Sequence, residues 1–142
     1  MTRILCLLSA LLFTALPVHA EQLENIGNLE VHYSSFPSTF LTPEVANTYR
    51  IQRSRYSAVV NITVLDKTQD GKPAVTAVLS GQAKNLLGSI KDLSFREVRE
   101  GSAIYYIAEL SHANEESFSF TIDVSQDGNN GQIAFKQTFY VD

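Results

Sequence analysis

Strict alternation of apolar and polar residues is the feature that most restricts the fold of this chain. In residues 117–124, four apolar side chains alternate with four polar ones without a break. A period of two is that of a β-strand with one buried face, because successive side chains point to opposite faces of the sheet. Six further segments show weaker forms of this pattern: 29–33, 56–65, 74–80, 90–99, 103–110 and 133–141. The sequence therefore predicts an all-β protein of about seven antiparallel strands.

The spacing of these strands favours two stacked sheets. Short strands joined by turns rich in Gly, Asp and Asn are typical of a β-sandwich, in which each sheet buries its apolar face against the other. We expect an immunoglobulin-like β-sandwich, and a closed barrel is the competing architecture. Residues 21–27 are expected to fray and residues 81–89 to form a loose connection. The imperfect alternation of residues 90–99 predicts a β-bulge near Arg96 or Glu97.

One stretch, residues 38–55, does not have the pattern of a strand. Thr42 is suited to the N-cap of a helix, and Pro43 to its first position, where the missing N–H is not needed. Glu44 adds negative charge to the first turn, which the helix dipole favours. The sequence therefore predicts a short helix between the first two strands.

The predicted helix has an apolar face. Leu41, Val45 and Tyr49 recur every four residues, which places them on one side of a helix. In the strand at 103–110, Tyr105 and Ile107 lie on the face opposite the main apolar row. We expect the helix to cover that face, since a partner protein would otherwise be needed to bury it.

The N-terminus has the pattern of a secretory signal peptide. Arg3 precedes an apolar run over residues 4–16, and residues 18–20 resemble a small-x-small cleavage site. The run is too short for a membrane span, which needs about 20 apolar residues. We expect cleavage after Ala20, no stable membrane insertion afterwards, and a mature chain of a single domain over residues 21–142.

Composition restricts the partners of the mature chain. The only cysteine, Cys6, lies in the predicted signal peptide, so no internal disulfide is expected. The formal net charge of the whole chain is −4, and it becomes −5 when Arg3 is removed with the signal peptide. Nucleic acids and anionic membrane surfaces are therefore poor candidates for a partner.

The sequence around the predicted helix resembles that of a known family. Residues 36–46, Phe-Pro-Ser-Thr-Phe-Leu-Thr-Pro-Glu-Val-Ala, and residues 49–54, Tyr-Arg-Ile-Gln-Arg-Ser, are similar to the bacterial domain-of-unknown-function family DUF4426. The resemblance extends over the whole mature chain, including Asn61 in the second predicted strand. It implies a small exported β-protein, located in the periplasm of Gram-negative bacteria. It implies no activity, ligand or functional residue.

The residue types needed for catalysis or metal binding are sparse. His32 and His112 are the only histidines of the mature chain, eighty positions apart, whereas a metal site needs several converging ligands. No Gly-x-Ser-x-Gly elbow or reactive cysteine is present, so nucleophilic catalysis has no evident parts. We therefore expect no enzymatic activity, no cofactor and no metal.

Positive charge collects where the predicted helix ends. Arg50, Arg53 and Arg55, together with Tyr49, form the candidate binding surface, because guanidinium groups can bind a carboxylate or phosphate bidentately. The simpler alternative is that these arginines pair with surface acids or lie over the sandwich.

Two functions are therefore considered. The first is a non-enzymatic periplasmic binding or accessory module that contacts a protein or envelope component through an edge strand or the helix region. The second is a carrier of a small anionic ligand, with a pocket where the helix meets the sandwich. Phe40, Leu41 and Tyr49 would line that pocket, and the arginines would lie at its mouth. A hydrolase is a remote third alternative.

Overall fold

Nine β-strands, one α-helix and one short 3-10 helix (Ser38–Phe40) make up the regular structure of residues 21–141, which are the residues that the computed structural model describes. The predicted signal peptide and its cleavage site lie outside the described residues. None of the helices in the described part of the chain is long and apolar enough to cross a membrane. The elements are β1 (Gln22–Ile26), β2 (Leu29–Pro37), α1 (Pro43–Thr48), β3 (Ser57–Asp66), β4 (Val78–Asn85), β5 (Ile90–Leu93), β6 (Arg96–Glu100), β7 (Ala103–Ser111), β8 (Glu116–Gln126) and β9 (Asn129–Phe139).

The strands form two antiparallel sheets. One sheet has the order β1-β2-β3-β7-β6 and the other the order β5-β4-β8-β9. The prediction of an all-β fold in two sheets is confirmed, and so is the position of the helix between β2 and β3. The predicted number of strands, seven, is wrong because one strand was missed and one predicted strand is in fact two.

The missed strand is β1, where fraying was predicted. It pairs with β2 along its whole length, from Gln22 opposite Tyr33 to Ile26 opposite Leu29. Four of its five residues are exposed and only Ile26 is buried. An edge strand with so little buried surface has no alternating pattern to reveal it.

The predicted strand at 90–99 is divided between the two sheets. Its first part, β5, pairs with β4, and its second part, β6, pairs with β7. Ser94 and Phe95 cross from one sheet to the other. The predicted bulge near Arg96 or Glu97 is therefore wrong, since the break in alternation marks a change of sheet.

The prediction of a loose connection at residues 81–89 is also largely wrong. Strand β4 continues to Asn85 and pairs with both β5 and β8. In this second part of the strand, the inward positions Gly81 and Ala83 carry small residues. Ala83 is fully buried, and a Cβ added to Gly81 would lie 2.9 Å from Ile122 Cγ1. The close packing of β4 on β8 thus requires residues with too little apolar surface to suggest a buried strand.

The main core lies between the sheets and is built around β8. Its four apolar side chains, Phe118, Phe120, Ile122 and Val124, are buried as the alternation predicted. Phe120 stacks on Phe135 at 4.6 Å between ring centroids. Each Å² of apolar surface that is removed from water contributes about 25 cal/mol to the free energy of folding. This cluster is therefore the main source of stability in a chain that has no internal disulfide.

Glu116 links the start of β8 to two neighbouring segments through hydrogen bonds. These bonds should make the free energy of unfolding depend on pH. Its carboxylate accepts hydrogen bonds from Asn85 Nδ2 (2.9 Å) and the backbone N–H of Ala113 (2.8 Å). The bond from Asn85 is the main cause that holds the pKa of Glu116 below its ordinary value of 4.5. A carboxyl whose folded pKa is depressed stabilises the protein above its unfolded pKa, and this stabilisation is lost as the pH falls through the folded value.

We therefore expect Glu116→Gln to reduce the loss of stability below a pH of about 4.5. Urea denaturation of both proteins at neutral and acidic pH measures the difference. The matched control is Glu115→Gln at the exposed neighbouring position, which should leave the acid-induced loss unchanged. Identical acid profiles for the wild type and Glu116→Gln would contradict the assignment.

Candidate ligand pocket beneath the helix

Helix α1 begins where the sequence predicts. Thr42 Oγ1 accepts a hydrogen bond from the N–H of Val45 (3.3 Å), and Pro43 is the first helical residue. The helix has only six residues. After it, Arg50 adopts a left-handed conformation with φ of 55°, and the N–H of Ile51 donates to the carbonyl of Ala46 (2.8 Å). This reversal directs Ile51 back towards the sheet.

The buried face of the helix differs from the predicted one. Ala46 is 2% exposed, whereas Val45 is 38% exposed and faces solvent. Leu41 and Tyr49 are half-buried, but both lie outside the helix, one before its N-cap and one at its C-cap. A spacing of four residues therefore does not place these three side chains on one face, because the helical geometry extends over only part of the segment.

The helix covers the outer face of the five-stranded sheet. Ala46 and Ile51 pack on Val59 of β3 and Ile107 of β7, and all four side chains are buried. Five half-buried side chains surround this second core: Phe36, Leu41, Tyr49, Val98 and Tyr105. The prediction that the helix covers Ile107 and Tyr105 is confirmed.

Strand β6 holds the helix against the sheet through two polar contacts. Arg96 Nη2 donates to the carbonyls of Tyr49 and Arg50, the latter at 3.3 Å. These carbonyls follow the last turn of the helix, where a positive charge is favourable. The hydroxyl of Tyr49 donates to the carboxylate of Glu100. Residues at both ends of β6 thus hold the segment Tyr49–Arg50 against the sheet.

A pocket of about 200 Å³, which we call the pocket beneath the helix, lies between the sheet and the residues that flank α1 on both sides. Tyr49 and Tyr105 meet edge to face across it, with ring centroids 6.4 Å apart. The lining side chains are mostly apolar or aromatic and come from β2, β3, β7 and the helical segment: Phe36, Leu41, Tyr49, Ile51, Val59, Asn61, Tyr105 and Ile107.

Asn61 is the amide in this otherwise apolar lining. It projects from β3 to the same face as Val59, and it lies opposite Ser34 of β2 and Ile107 of β7. Its Oδ1 is buried and has no hydrogen-bond partner among the described residues. A buried acceptor left without a donor costs about 1–3 kcal/mol. The burial of this oxygen was not predictable, because a polar residue in an alternating strand is expected to face solvent.

Tyr49 is expected to titrate at unusually high pH. The hydrogen bond to Glu100, followed by burial and by the negative charge of Glu100, raises its pKa from 10.0 to about 12. Its hydroxyl therefore remains a proton donor at neutral pH. Because the folded pKa is raised, the stabilisation is complete below pH 10 and is lost as the pH rises towards 12.

Spectrophotometric titration of the tyrosines tests this, with Tyr49→Phe identifying the contribution of Tyr49 among the six tyrosines of the chain. Glu100→Gln should bring the pKa of Tyr49 back towards 10.0. The matched control, Glu97→Gln on the same strand, should leave it high. An unchanged titration in Glu100→Gln would show that this contact does not form in solution.

A second, more open pocket of about 610 Å³ adjoins the first on the same sheet face. Tyr105 lines both pockets, and along β3 the floor passes from Asn61 to Thr63. On β2, Glu30 accepts from His32 Nε2 (2.7 Å) and pairs with Lys72 Nζ (2.8 Å). The bond from Lys72, and then that from His32, lowers the pKa of Glu30.

The predicted arginine surface does not face the pocket beneath the helix. Arg53 Nη2 donates to the carbonyl of Thr39 (3.3 Å), and Arg55 Nη2 to the carbonyl of Val141 (3.0 Å). Arg50, Arg53 and Arg55 are all exposed, and none of them lines the pocket beneath the helix. Of the four predicted residues, Tyr49 alone lines it.

Arg55 instead borders a separate cleft of about 250 Å³ near the end of β9. Phe40 and Tyr140 line the same cleft and are 66% and 56% exposed. Phe40 was expected in the pocket beneath the helix, and its position here is a correction.

The two histidines of the described residues, His32 and His112, make separate contacts. His32 joins the ion pairs of β2, whereas His112 is buried, hydrogen-bonds the carbonyl of Ala113 through Nδ1 (2.8 Å), and stacks on Phe139. Within residues 21–141, no three His, Cys, Asp or Glu side chains are grouped so that they could hold a metal ion.

Comparisons with known proteins give a family and a fold. A family model described as "Domain of unknown function (DUF4426)" matches residues 23–142. A crystal structure of a DUF4426 family protein from Pseudomonas aeruginosa PAO1 is 36% identical in sequence, with a TM-score of 0.73, and the match covers 86% of this chain and 96% of that one. No curated protein matches the sequence.

FetP from uropathogenic Escherichia coli strain F11 is similar in structure alone. Two of its structures match, one of protein expressed recombinantly in the periplasm and one of a copper-bound variant. Both are 7% identical with a TM-score of 0.57. The matches cover 85% and 84% of this chain, and 94% and 95% of the FetP chains. At this identity the similarity is one of fold.

Proposed function

Since this chain belongs to the DUF4426 family, whose description records no function, we propose a function from the geometry of its own site. The protein is a non-enzymatic binding module. It holds a small apolar group that carries a hydroxyl or N–H in the pocket beneath the helix. The observation that carries this proposal is the buried Oδ1 of Asn61, which has no hydrogen-bond partner within residues 21–141 and lies in a pocket lined mainly by apolar and aromatic side chains.

The size and lining of the pocket define the group that fits. At about 200 Å³, the pocket is smaller than the roughly 300–1,000 Å³ typical of drug-sized ligands, so it suits one small aromatic group of one or two fused rings. Apolar walls favour a hydrocarbon body, whereas the Asn61 oxygen needs a donor. A phenol or an indole meets both requirements.

The anionic-ligand version of this function has less support. The arginines expected at the mouth of the pocket do not line it. An anion would also bring a second acceptor towards the Asn61 oxygen, and two acceptors do not form a hydrogen bond. The neutral donor is therefore the better match.

We expect p-cresol to bind at least about fivefold more tightly than toluene, which lacks only the hydroxyl. Isothermal titration and thermal-shift measurements on the purified protein test this, because a bound ligand raises the melting temperature by mass action. Asn61→Leu, which removes the buried acceptor, should abolish the preference.

Asn47→Leu is the matched control, since it is the same substitution at an exposed residue of helix α1 that does not line the pocket. It should leave the preference for p-cresol intact. Equal affinity of the wild type for both compounds, or no binding of either at millimolar concentration, would refute the proposed function.

A protein or envelope partner at the Arg55 cleft is a second candidate. Exposed aromatic rings beside an arginine are the composition of interaction hot spots, and Phe40, Tyr140 and Arg55 share this cleft. The combined variant Arg53→Glu, Arg55→Glu should lose any partner recovered specifically by the wild type. Recovery of the same proteins by both would refute this role.

We further propose that the protein is exported to the periplasm of Gram-negative bacteria after cleavage of residues 1–20, and that the sandwich is immunoglobulin-like. The signal pattern supports export. The strand orders β2-β3-β7-β6 and β4-β8-β9 support the fold assignment, since they correspond to the A-B-E-D and C-F-G sheets of that fold, with β1 and β5 added at the edges.

A further inference from the structure

The turn between β4 and β5 presents two leucines to solvent. Leu86 and Leu87 are 86% and 94% exposed, the highest values among the large apolar side chains of residues 21–141. Both follow the last residue of β4, and Ile90, the first residue of β5, is also exposed. Single exposed apolar residues are ordinary on a protein surface, whereas a group of them indicates a contact surface.

Asn85 fixes the shape of this turn. Its Oδ1 accepts hydrogen bonds from the N–H groups of Leu87 (3.1 Å) and Ser89 (2.9 Å), and its own N–H donates to the carbonyl of Ser89 (3.0 Å). Its Nδ2 donates to Glu116 at the start of β8. Gly88 has a φ of 88°, which only glycine adopts without strain. The turn itself therefore holds the two leucines away from the sandwich.

The turn lies at one end of the sandwich, which we call the Leu86 end. Lys91 Nζ of β5 donates to the carbonyl of Ser111 at the end of β7 (2.5 Å), and Ser111 pairs with Ser57 at the start of β3. In the other sheet, Glu116 pairs with Phe139 at the end of β9. Nine large apolar or aromatic side chains are exposed within residues 21–141, and six of them belong to this end: Phe40, Tyr56, Leu86, Leu87, Ile90 and Tyr140.

The Leu86 end is close to neutral in an acidic protein. Its described cations are Arg53, Arg55, Lys84 and Lys91. The described carboxylates nearby are Glu44, Glu109, Glu115 and Glu116. The whole chain carries a net charge of −4, so the excess of negative charge lies elsewhere on the molecule. The net charge of the chain disfavours contact with an anionic membrane, but this end by itself is not repelled by lipid headgroups.

We propose that the Leu86 end docks on the surface of a lipid bilayer, with Leu86 and Leu87 at the boundary between headgroups and acyl chains. The apolar side chains project from separate elements and do not line a common groove, so a deformable apolar layer suits them better than a single segment of a partner. Leucines at a tip, with tyrosine rings and cations around them, have the composition of interfacial membrane contacts. The cations can bind lipid phosphate groups.

This contact is reversible and peripheral, since only side chains of the turn and its surroundings enter the membrane. It agrees with the expectation that the mature chain has no stable membrane insertion. The inference does not depend on the ligand proposed for the pocket beneath the helix. It names a bilayer as the envelope partner of the end that contains the Arg55 cleft.

Flotation with phosphatidylcholine vesicles tests the inference on the proposed mature chain, residues 21–142. We expect the wild type to float with the vesicles, and the combined variant Leu86→Asp, Leu87→Asp to reduce its partition into them at least about tenfold. Val78→Asp is the matched control. Val78 is 74% exposed and begins β4 at the opposite end of the same strand, so this variant should bind as the wild type does.

Tryptophan fluorescence locates the contact. The chain contains no tryptophan, so a single introduced one reports on one position. The emission of Leu87→Trp should shift to shorter wavelength when vesicles are added, and lipids with brominated acyl chains should quench it. The emission of Val78→Trp should not change. Both positions are exposed, so neither substitution should alter the midpoint of urea denaturation.

Three results would overturn the bilayer inference: no flotation of the wild type, equal flotation of the wild type and the Leu86→Asp, Leu87→Asp variant, or an equal spectral shift at positions 87 and 78. A dimer in solution that this variant converts to monomers, without vesicle binding by the wild type, would show that the tip contacts a second copy instead.

These results are distinguishable from a failure of the proposed functions. Affinity for p-cresol should be the same in the wild type and in the leucine variant, whatever the vesicles show. A protein partner that is lost with Arg53→Glu, Arg55→Glu but retained by the leucine variant, without vesicle binding, would overturn the bilayer and leave the role of the Arg55 cleft standing.

Discussion

Replacing Phe120 by alanine should lower the free energy of unfolding by about 4 kcal/mol. Phe120 is 1% exposed, stacks on Phe135, and also meets the rings of Phe118 (6.0 Å) and Phe139 (6.4 Å). Truncation removes these contacts with three rings of β8 and β9 and leaves a cavity in a closely packed core. Urea denaturation monitored by circular dichroism measures the loss.

Phe40→Ala is the matched control for this prediction. It is the same substitution at a side chain that is 66% exposed, so the free energy of unfolding should change by no more than about 0.5 kcal/mol. Similar effects at Phe120 and Phe40 would mean that β8 does not form the centre of the core.

Ala46→Asp is expected to detach the helix from the sheet. Ala46 packs on Val59 and Ile107, and burying a polar group there without a hydrogen-bond partner costs roughly 2–7 kcal/mol. Release of the helical segment is the cheaper response, so Val59 and Ile107 should become exposed. Amide exchange at Ile51, whose N–H donates to the carbonyl of Ala46, and binding of a fluorescent apolar dye measure this release.

Val45→Asp, the same change at the adjacent residue, should leave the helix in place because Val45 faces solvent. Affinity for p-cresol should follow the same pattern, lost in Ala46→Asp and retained in Val45→Asp. If the two variants behave alike, the orientation of the helix is not the one described above.

The parts of the fold that were predictable are those whose side chains alternate between core and solvent. Strand β8 contributes four large buried residues, and its pattern was unambiguous. Strand β1 buries only Ile26, and the second half of β4 packs through Gly81 and Ala83, so neither has a detectable apolar face. A pattern within one segment also cannot show that the segment changes sheet, as residues 90–99 do.

The site was predictable only where local chemistry determines it. The N-cap at Thr42 follows from its own side chain and the proline after it. The position of Arg55 depends on the carbonyl of Val141, which is 86 residues away in the chain. The burial of Asn61 depends on a helix that covers its sheet face. Neither relation is present in the sequence around these residues.

The crossing at Ser94 and Phe95 has a mechanical consequence. Only two residues separate β5 in one sheet from β6 in the other, so the two layers are tethered at that edge by a link too short to let them slide apart. Strand β6 also carries Arg96 and Glu100, whose hydrogen bonds hold the helical segment against the sheet. These contacts are therefore connected directly to the short link between the two sheets. A stretching force that separated the layers would therefore also act, through β6, on the segment that closes the pocket beneath the helix.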